Sequence, residues 1–171
     1  MRNSIPLYRG RVIRFEIEHA ALPDGSDLRM ECVRHPGGVT AVVLDADGEK
    51  VAFVRQYRPA LRRWIWELPA GKREPGEEAD DTIRREIIEE IGAHCTDWHH
   101  LGGVWATPGF CDERIELYSC RVDSLQNTAH EAGEVMEVHW LSIAEVDDML
   151  LSGEIEDAKT LSALLHWKMR R

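Results

Sequence analysis

No stretch of this chain is apolar for the roughly 18–20 residues that a membrane-spanning helix needs. The opening residues, Met1-Arg2-Asn3-Ser4-Ile5-Pro6, lack the apolar core of an export signal, so a cytoplasmic protein without a membrane partner is expected. Cysteine is sparse: Cys32, Cys95, Cys111 and Cys120 are scattered, with no C-x-x-C pair, and reduced thiols are expected. His94, Cys95, His99 and His100 crowd one stretch, but their spacing fits no standard zinc site. Positive charge is short as well. The 21 Lys and Arg stand against 31 Asp and Glu, a net charge of −10, which argues against gripping nucleic acid through the overall field. It leaves anionic small molecules open, because metal ions and a few local arginines can meet them. Repeats, low-complexity tracts and long linkers are missing too. What remains is 171 residues, 43% hydrophobic, enough for one ordinary globular core.

The informative segment runs from 71 to 93. Gly71 is followed by Glu77 and then by Arg85-Glu86-Ile87-x-Glu89-Glu90-x-Gly92. Ala79, Ile83, Ile87 and Ile91 recur every fourth place, one face of a helix, with Glu77, Asp80 and Asp81 at its positive end and Gly92 to stop it. At about 100° per residue, Glu86 and Glu90 fall within about 40° of each other and Glu89 about 60° round. Three carboxylates so close repel unless a cation sits among them. Oxygen ligands without Cys or His suit Mg²⁺, or Mn²⁺, rather than Zn²⁺. The plain alternative is a solvated acidic face. Arg85 can hold neighbouring carboxylates by paired hydrogen bonds, and Gly71 suggests a close backbone approach.

Around this helix the pattern is mixed. Strands are expected at 12–17 and 28–33, an antiparallel hairpin turning at Pro23-Asp24-Gly25-Ser26, and then at 40–44, 51–57 and 64–68. After the helix come strands near 101–106, 114–122 and 135–141. Ser142-x-x-Glu145 reads as a capping box, and Asp157 as the cap of a last helix carrying Leu161, Leu164, Leu165 and Met169. This order predicts a layered α/β (α+β) domain at 39–171, preceded by a hairpin extension at 1–38.

The segment from Gly71 to Ala93 resembles the Nudix box, with Ala93 where the family usually carries a bulkier aliphatic residue. The resemblance implies an α/β/α sandwich around a mixed sheet, and hydrolysis of a nucleoside diphosphate linked to another group. It also implies a metal site of Glu86, Glu89, Glu90 and the Ala70 carbonyl. Pro108, 15 residues beyond Ala93, is similar to the mark of the ADP-ribose pyrophosphatase branch. Arg55-Gln56-Tyr57-Arg58-Pro59, Glu67-Leu68-Pro69-Ala70-Gly71 and Gly153-Glu154-Ile155-x-Asp157-Ala158-x-Thr160 also resemble segments of that branch. The implied reaction converts ADP-ribose to AMP and ribose 5-phosphate. GDP-mannose or ADP-glucose is the alternative substrate, and a non-catalytic ligand sensor the distant one.

Candidate site residues follow. Arg58 is expected on the phosphates or terminal ribose; a surface pair with a carboxylate is its other reading. Glu113 holds the metal site or substrate, or makes a cross-strand ion pair. Pro108 fixes a turn lining the pocket, and Trp105 lines it too, unless it packs in the core. The acidic loop at 130–138 offers Glu134 as general base, with Glu131 as runner-up. Trp66, Trp140 and Trp167 are expected in the core. The resemblance implies a homodimer with exchanged N-terminal sheets; packing of residues 1–33 back on their own subunit satisfies the sequence equally well.

Overall fold

Among the described residues, seven strands make one mixed sheet and three make another. The computed structural model describes residues 3–128 and 135–170. Its elements are β1 (Asn3–Arg9), β2 (Arg14–Ala21), β3 (Asp27–Arg34), β4 (Gly38–Leu44), β5 (Lys50–Arg58), β6 (Arg63–Glu67), β7 (Ala70–Lys72), α1 (Ala79–Ile91), β8 (Ala93–Trp105), β9 (Arg114–Leu125), β10 (Met136–Ser142), α2 (Ile143–Ser152) and α3 (Ala158–Lys168).

The large sheet runs β10-β5-β4-β9-β8. β4 and β9 are parallel, from Gly38 opposite Ile115 to Leu44 opposite Arg121, and the other pairs are antiparallel. Side chains alternate across a strand, and β4 uses this to divide the core. Val39, Ala41 and Val43 pack with Ile83, Ile87 and Ile91 of α1. Val42 joins Val51, Phe53 and Leu117 in a second cluster, with Val146 of α2 and Ala163, Leu164 and Trp167 of α3. Each fully buried aliphatic side chain contributes roughly 1.5–3 kcal/mol, so Ile83 and Ile87 fix α1 to the sheet. This is the expected α/β/α sandwich. Gly92 closes α1 with φ 65°, the left-handed value that glycine adopts freely, and Ser142 and Glu145 form the expected capping box on α2.

β4 and β5 pair only at Leu44 and Val51, next to their connecting turn. Beyond that point β6 pairs with β5 and β7 with β4. The fork is held by the Pro69 carbonyl, which accepts from Ala41 N (3.1 Å) and Thr40 Oγ1 (3.0 Å). Its two branches carry the segments from which the site is built.

Two expectations need correction. The N-terminal hairpin has a third strand, β1, paired with β2 through a register shift between Pro6 and Tyr8. Proline donates no hydrogen bond, which confines it to edges and bulges and hides such a strand from pattern reading. In α3 the buried face is Thr160, Ala163, Leu164 and Trp167; Leu161, Leu165 and Met169 are exposed. Thr160 can turn inward because its hydroxyl is satisfied: it accepts from Leu68 N (2.9 Å) and donates to Asp157 Oδ2 (2.6 Å). Of the three tryptophans expected in the core, Trp167 is buried, Trp66 is half-buried against the same cluster, and Trp140 is half-buried against the cluster of α1.

Candidate active site

The side chain of Glu78, at the N-cap of α1, makes no capping hydrogen bond. Glu77 is the organising acid instead. Its carboxylate accepts from Glu74 N (3.2 Å), Thr82 Oγ1 (2.9 Å) and, through both oxygens, Arg85 Nε and Nη2 (3.0 and 3.1 Å). Arg85 Nη1 donates to Glu86 Oε1 (2.9 Å) and Glu89 Oε2 (2.8 Å). One guanidinium thus gathers three carboxylates, the fork geometry that lysine lacks.

The Arg85 hydrogen bonds hold the Glu77 carboxyl down at about 2, from an ordinary 4.5. A carboxyl whose folded value is depressed stabilises the fold above its unfolded value, and that contribution disappears as pH falls through the folded one. Stability against urea is therefore expected to fall between pH 4.5 and about 2, and Glu77→Gln should flatten part of that fall. Denaturation midpoints across that range check this; parallel curves for the two proteins refute it.

Glu86 reaches from α1 to β7. A Cβ placed on Gly71 would collide with its carboxyl group, so glycine at 71 makes room for that carboxylate. Burial pushes the Glu86 carboxyl up to about 7, Arg85 opposes that, and Glu89 adds to it. Glu90 is buried and accepts from Ala70 N (3.0 Å). The two glutamates thus meet adjacent residues of β7, while Glu89 stays more exposed on Arg85. Among the described residues, no three His, Cys, Asp or Glu side chains stand together as a ready metal cage.

A cleft of about 360 Å³ opens at the fork. It is lined by Ala70, Gly71 and Lys72 of β7, Arg58 at the end of β5, Lys159 in the first turn of α3, and Trp105 and Glu113. Arg58 faces the cleft and also grips Glu67, with Nε–Oε1 2.5 Å and Nη2–Oε2 2.6 Å. Arg58 is thus paired to a carboxylate, as its second reading expects, but to a buried one rather than one at the surface. Glu113 stands 3.3 Å from His35 Nδ1. Trp105 is 52% exposed, with the Arg114 guanidinium 5.4 Å from its ring centroid.

Pro108 does not line this cleft. The stretch 107–112 is bonded to β3 by Val33 N to Phe110 O (2.7 Å) and Asp112 N to Val33 O (3.2 Å). Pro108 lies there, beside a hollow of about 150 Å³ lined also by Glu18 and Arg34. Glu134 and Glu131 lie outside the described residues. A larger depression, about 510 Å³, borders Trp98, Arg121 and Arg170 at edge strand β8 and holds none of the expected site residues. Sequence reasoning missed His35, Lys72 and Lys159 in the cleft and Glu67 behind it. For Glu67 and Lys159 a signal existed, since both sit in the short segments quoted above, but nothing local says that those segments meet.

Carboxylates converging on β7 beside a cleft that also presents Arg58 and Lys159 form a site suited to cations and anions together. The NUDIX domain profile matches residues 34–164, and the chain belongs to the Nudix hydrolase superfamily. Among its relatives, the methanol dehydrogenase activator of Bacillus methanolicus is 34% identical over 96% of this chain and 89% of that protein. The ADP-ribose pyrophosphatase of Bacillus subtilis is 32% identical over the same shares. A crystal structure of an ADP compounds hydrolase superposes with a TM-score of 0.81 at 17% identity, covering 98% of this chain and 90% of the other.

Proposed function

We propose that this protein hydrolyses the pyrophosphate bond of ADP-ribose, giving AMP and ribose 5-phosphate. The observation that carries the reading is the meeting, at Ala70 and Gly71, of the α1 carboxylates with a cleft that presents Arg58. The relatives named for that reaction add to it. GDP-mannose and ADP-glucose are the competing substrates within the same chemistry.

The donor set fits a hard divalent ion. Glu86 occupies a space that only glycine at 71 leaves open, Glu90 is buried against Ala70, and every side-chain donor is an oxygen. Glu86, Glu89, Glu90 and the Ala70 carbonyl would hold Mg²⁺, or Mn²⁺. When bound, such an ion lowers the pKa of water and stabilises charge on phosphoryl oxygens. Arg85 keeps Glu86 and Glu89 in place, and Arg58 receives the anionic substrate. Trp105 and Glu113 border it, and Pro108 fixes the turn beyond. Glu134 is the proposed general base, ahead of Glu131. The test is divalent-metal-dependent release of the matching nucleoside monophosphate, measured against a panel of nucleoside diphosphate sugars. Preference for another member of the panel would reassign the substrate, and no turnover of any would refute the reading.

Residues 1–38 are proposed as a dimerisation extension to the domain at 39–171. Ile5, Leu7, Tyr8, Ile13 and Leu28 are exposed on the three-stranded sheet or its turns, and a second subunit would cover them. Deleting residues 1–33 is expected to give monomers with weakened ADP-ribose affinity. Sedimentation and KM measure this; a full-length monomer, or a truncated protein with normal KM, counts against the exchange.

A further inference from the structure

Glu67 is 1% exposed, yet it is bound by two cations that both line the cleft. Arg58 grips it through two hydrogen bonds, and the Lys159 ammonium bonds its Oε2. Lys159 also lies 3.0 Å from Asp157 Oδ2. Residues 67 and 159 are far apart in sequence and are joined again next door, where Leu68 N donates to Thr160 Oγ1. Burial alone would raise the Glu67 carboxyl, but the Arg58 hydrogen bonds and the Lys159 charge outweigh it and hold it below the usual range.

A buried carboxylate between two cations is a costly way to stabilise a fold. Well-packed apolar groups of similar volume often do as well or better. What an apolar residue cannot do is hold two flexible cationic side chains in one fixed geometry. Arg58 and Lys159 lose most of their rotamer freedom on Glu67 before any ligand arrives, which lowers the entropic cost of binding an anion. Both line the cleft, and neither is saturated by these contacts: Arg58 bonds Glu67 through Nε and Nη2, and the Lys159 ammonium, with three N–H donors, meets Glu67 and Asp157.

We infer that Glu67 is a positioning residue for substrate binding, which holds Arg58 and Lys159 as a preorganised cation pair for the diphosphate of a nucleoside diphosphate sugar. The inference rests on the proposed hydrolase reading and adds Lys159 to the binding residues. Glu67 itself acts only through the two cations.

The test uses the full-length protein and the variants Glu67→Gln, Lys159→Met and their combination. KM and kcat are measured with ADP-ribose, Kd for ADP-ribose is measured in EDTA, and Tm is recorded for each. Lys159→Met is expected to raise KM and the metal-free Kd at least about tenfold, with kcat changed by less than about threefold, since the lost contact serves binding. Glu67→Gln should raise both at least as much. Adding Lys159→Met to it should then cost less than about twofold more, because groups that act as a unit are not additive. A purely structural Glu67 would instead lower Tm and leave KM and Kd alone, which overturns the inference, as would fully multiplying effects in the double variant. Should Glu67→Gln fail to fold, Glu67→Asp replaces it: the charge stays, the reach shortens, and KM is still expected to rise; an unmoved KM overturns the inference. A wild type that turns over no nucleoside diphosphate sugar refutes the hydrolase reading, and the metal-free binding arm still decides on the cation pair.

Discussion

Glu90→Gln is expected to keep its fold and lose at least about 10²-fold in kcat, because in the proposed mechanism the charge removed serves the transition state rather than packing. The substitution is isosteric, and the amide oxygen can still accept from Ala70 N, where Glu90 Oε2 now stands at 3.0 Å. Glu90 is 5% exposed, so a neutral side chain is no worse solvated there than a charged one. Packing is therefore preserved while the acidic cluster loses one negative charge. Single-turnover kinetics with saturating Mg²⁺, read beside Tm, separates the two effects. Activity close to wild type in a folded Glu90→Gln protein would remove Glu90 from the metal site.

Gly71→Ala is expected to be nearly as damaging to kcat for a different reason. Its φ lies outside the left-handed region, so the backbone itself tolerates alanine. The new methyl group would occupy the position of the Glu86 carboxyl, and the carboxylate would have to leave β7. A displaced ligand or positioning group costs catalysis steeply, and a loss of at least about 10²-fold in kcat is expected. Overpacking costs about 1–3 kcal/mol, and each kcal/mol lowers Tm by roughly 2–4 °C in a chain of this size. A modest fall in Tm with a large fall in kcat is the expected pair of results. Retained kcat would mean that the Glu86 carboxylate has no part in the reaction.

The box helix was legible because its information is local. Ile83, Ile87 and Ile91 are spaced by one turn, Gly92 follows them, and Ser142 and Glu145 are three residues apart; each signal needs only its neighbours. β8 was read short because register shifts after His94, Thr96 and His100 break its alternation, and a period-two pattern does not survive a bulge. The acidic flank was legible as three glutamates on one helix, but not how they divide. Arg85 takes Glu86 and Glu89, whereas Glu90 goes to the backbone of β7, since that depends on what the helix packs against. The Glu67 pairing was invisible for the same reason. An ion pair between residues 67 and 159 leaves no mark in the spacing of either segment, and only the fork brings them together. Pro108 was placed by its distance from the box, while the loop that carries it takes its direction from hydrogen bonds to β3.

The fork between β4 and β5 also sets how this architecture can diversify. One branch, β7 and α1, holds the carboxylates; the other, β5, β6 and the start of α3, holds Arg58, Glu67 and Lys159. The two branches also share a core, since Ala52 and Val54 of β5 pack in one cluster with Ile83, Ile87 and Ile91 of α1, so a volume change in that cluster is felt on both sides of the cleft. A lineage built on this plan is therefore expected to change the two branches in concert, with substitutions in β5 answered by substitutions in α1.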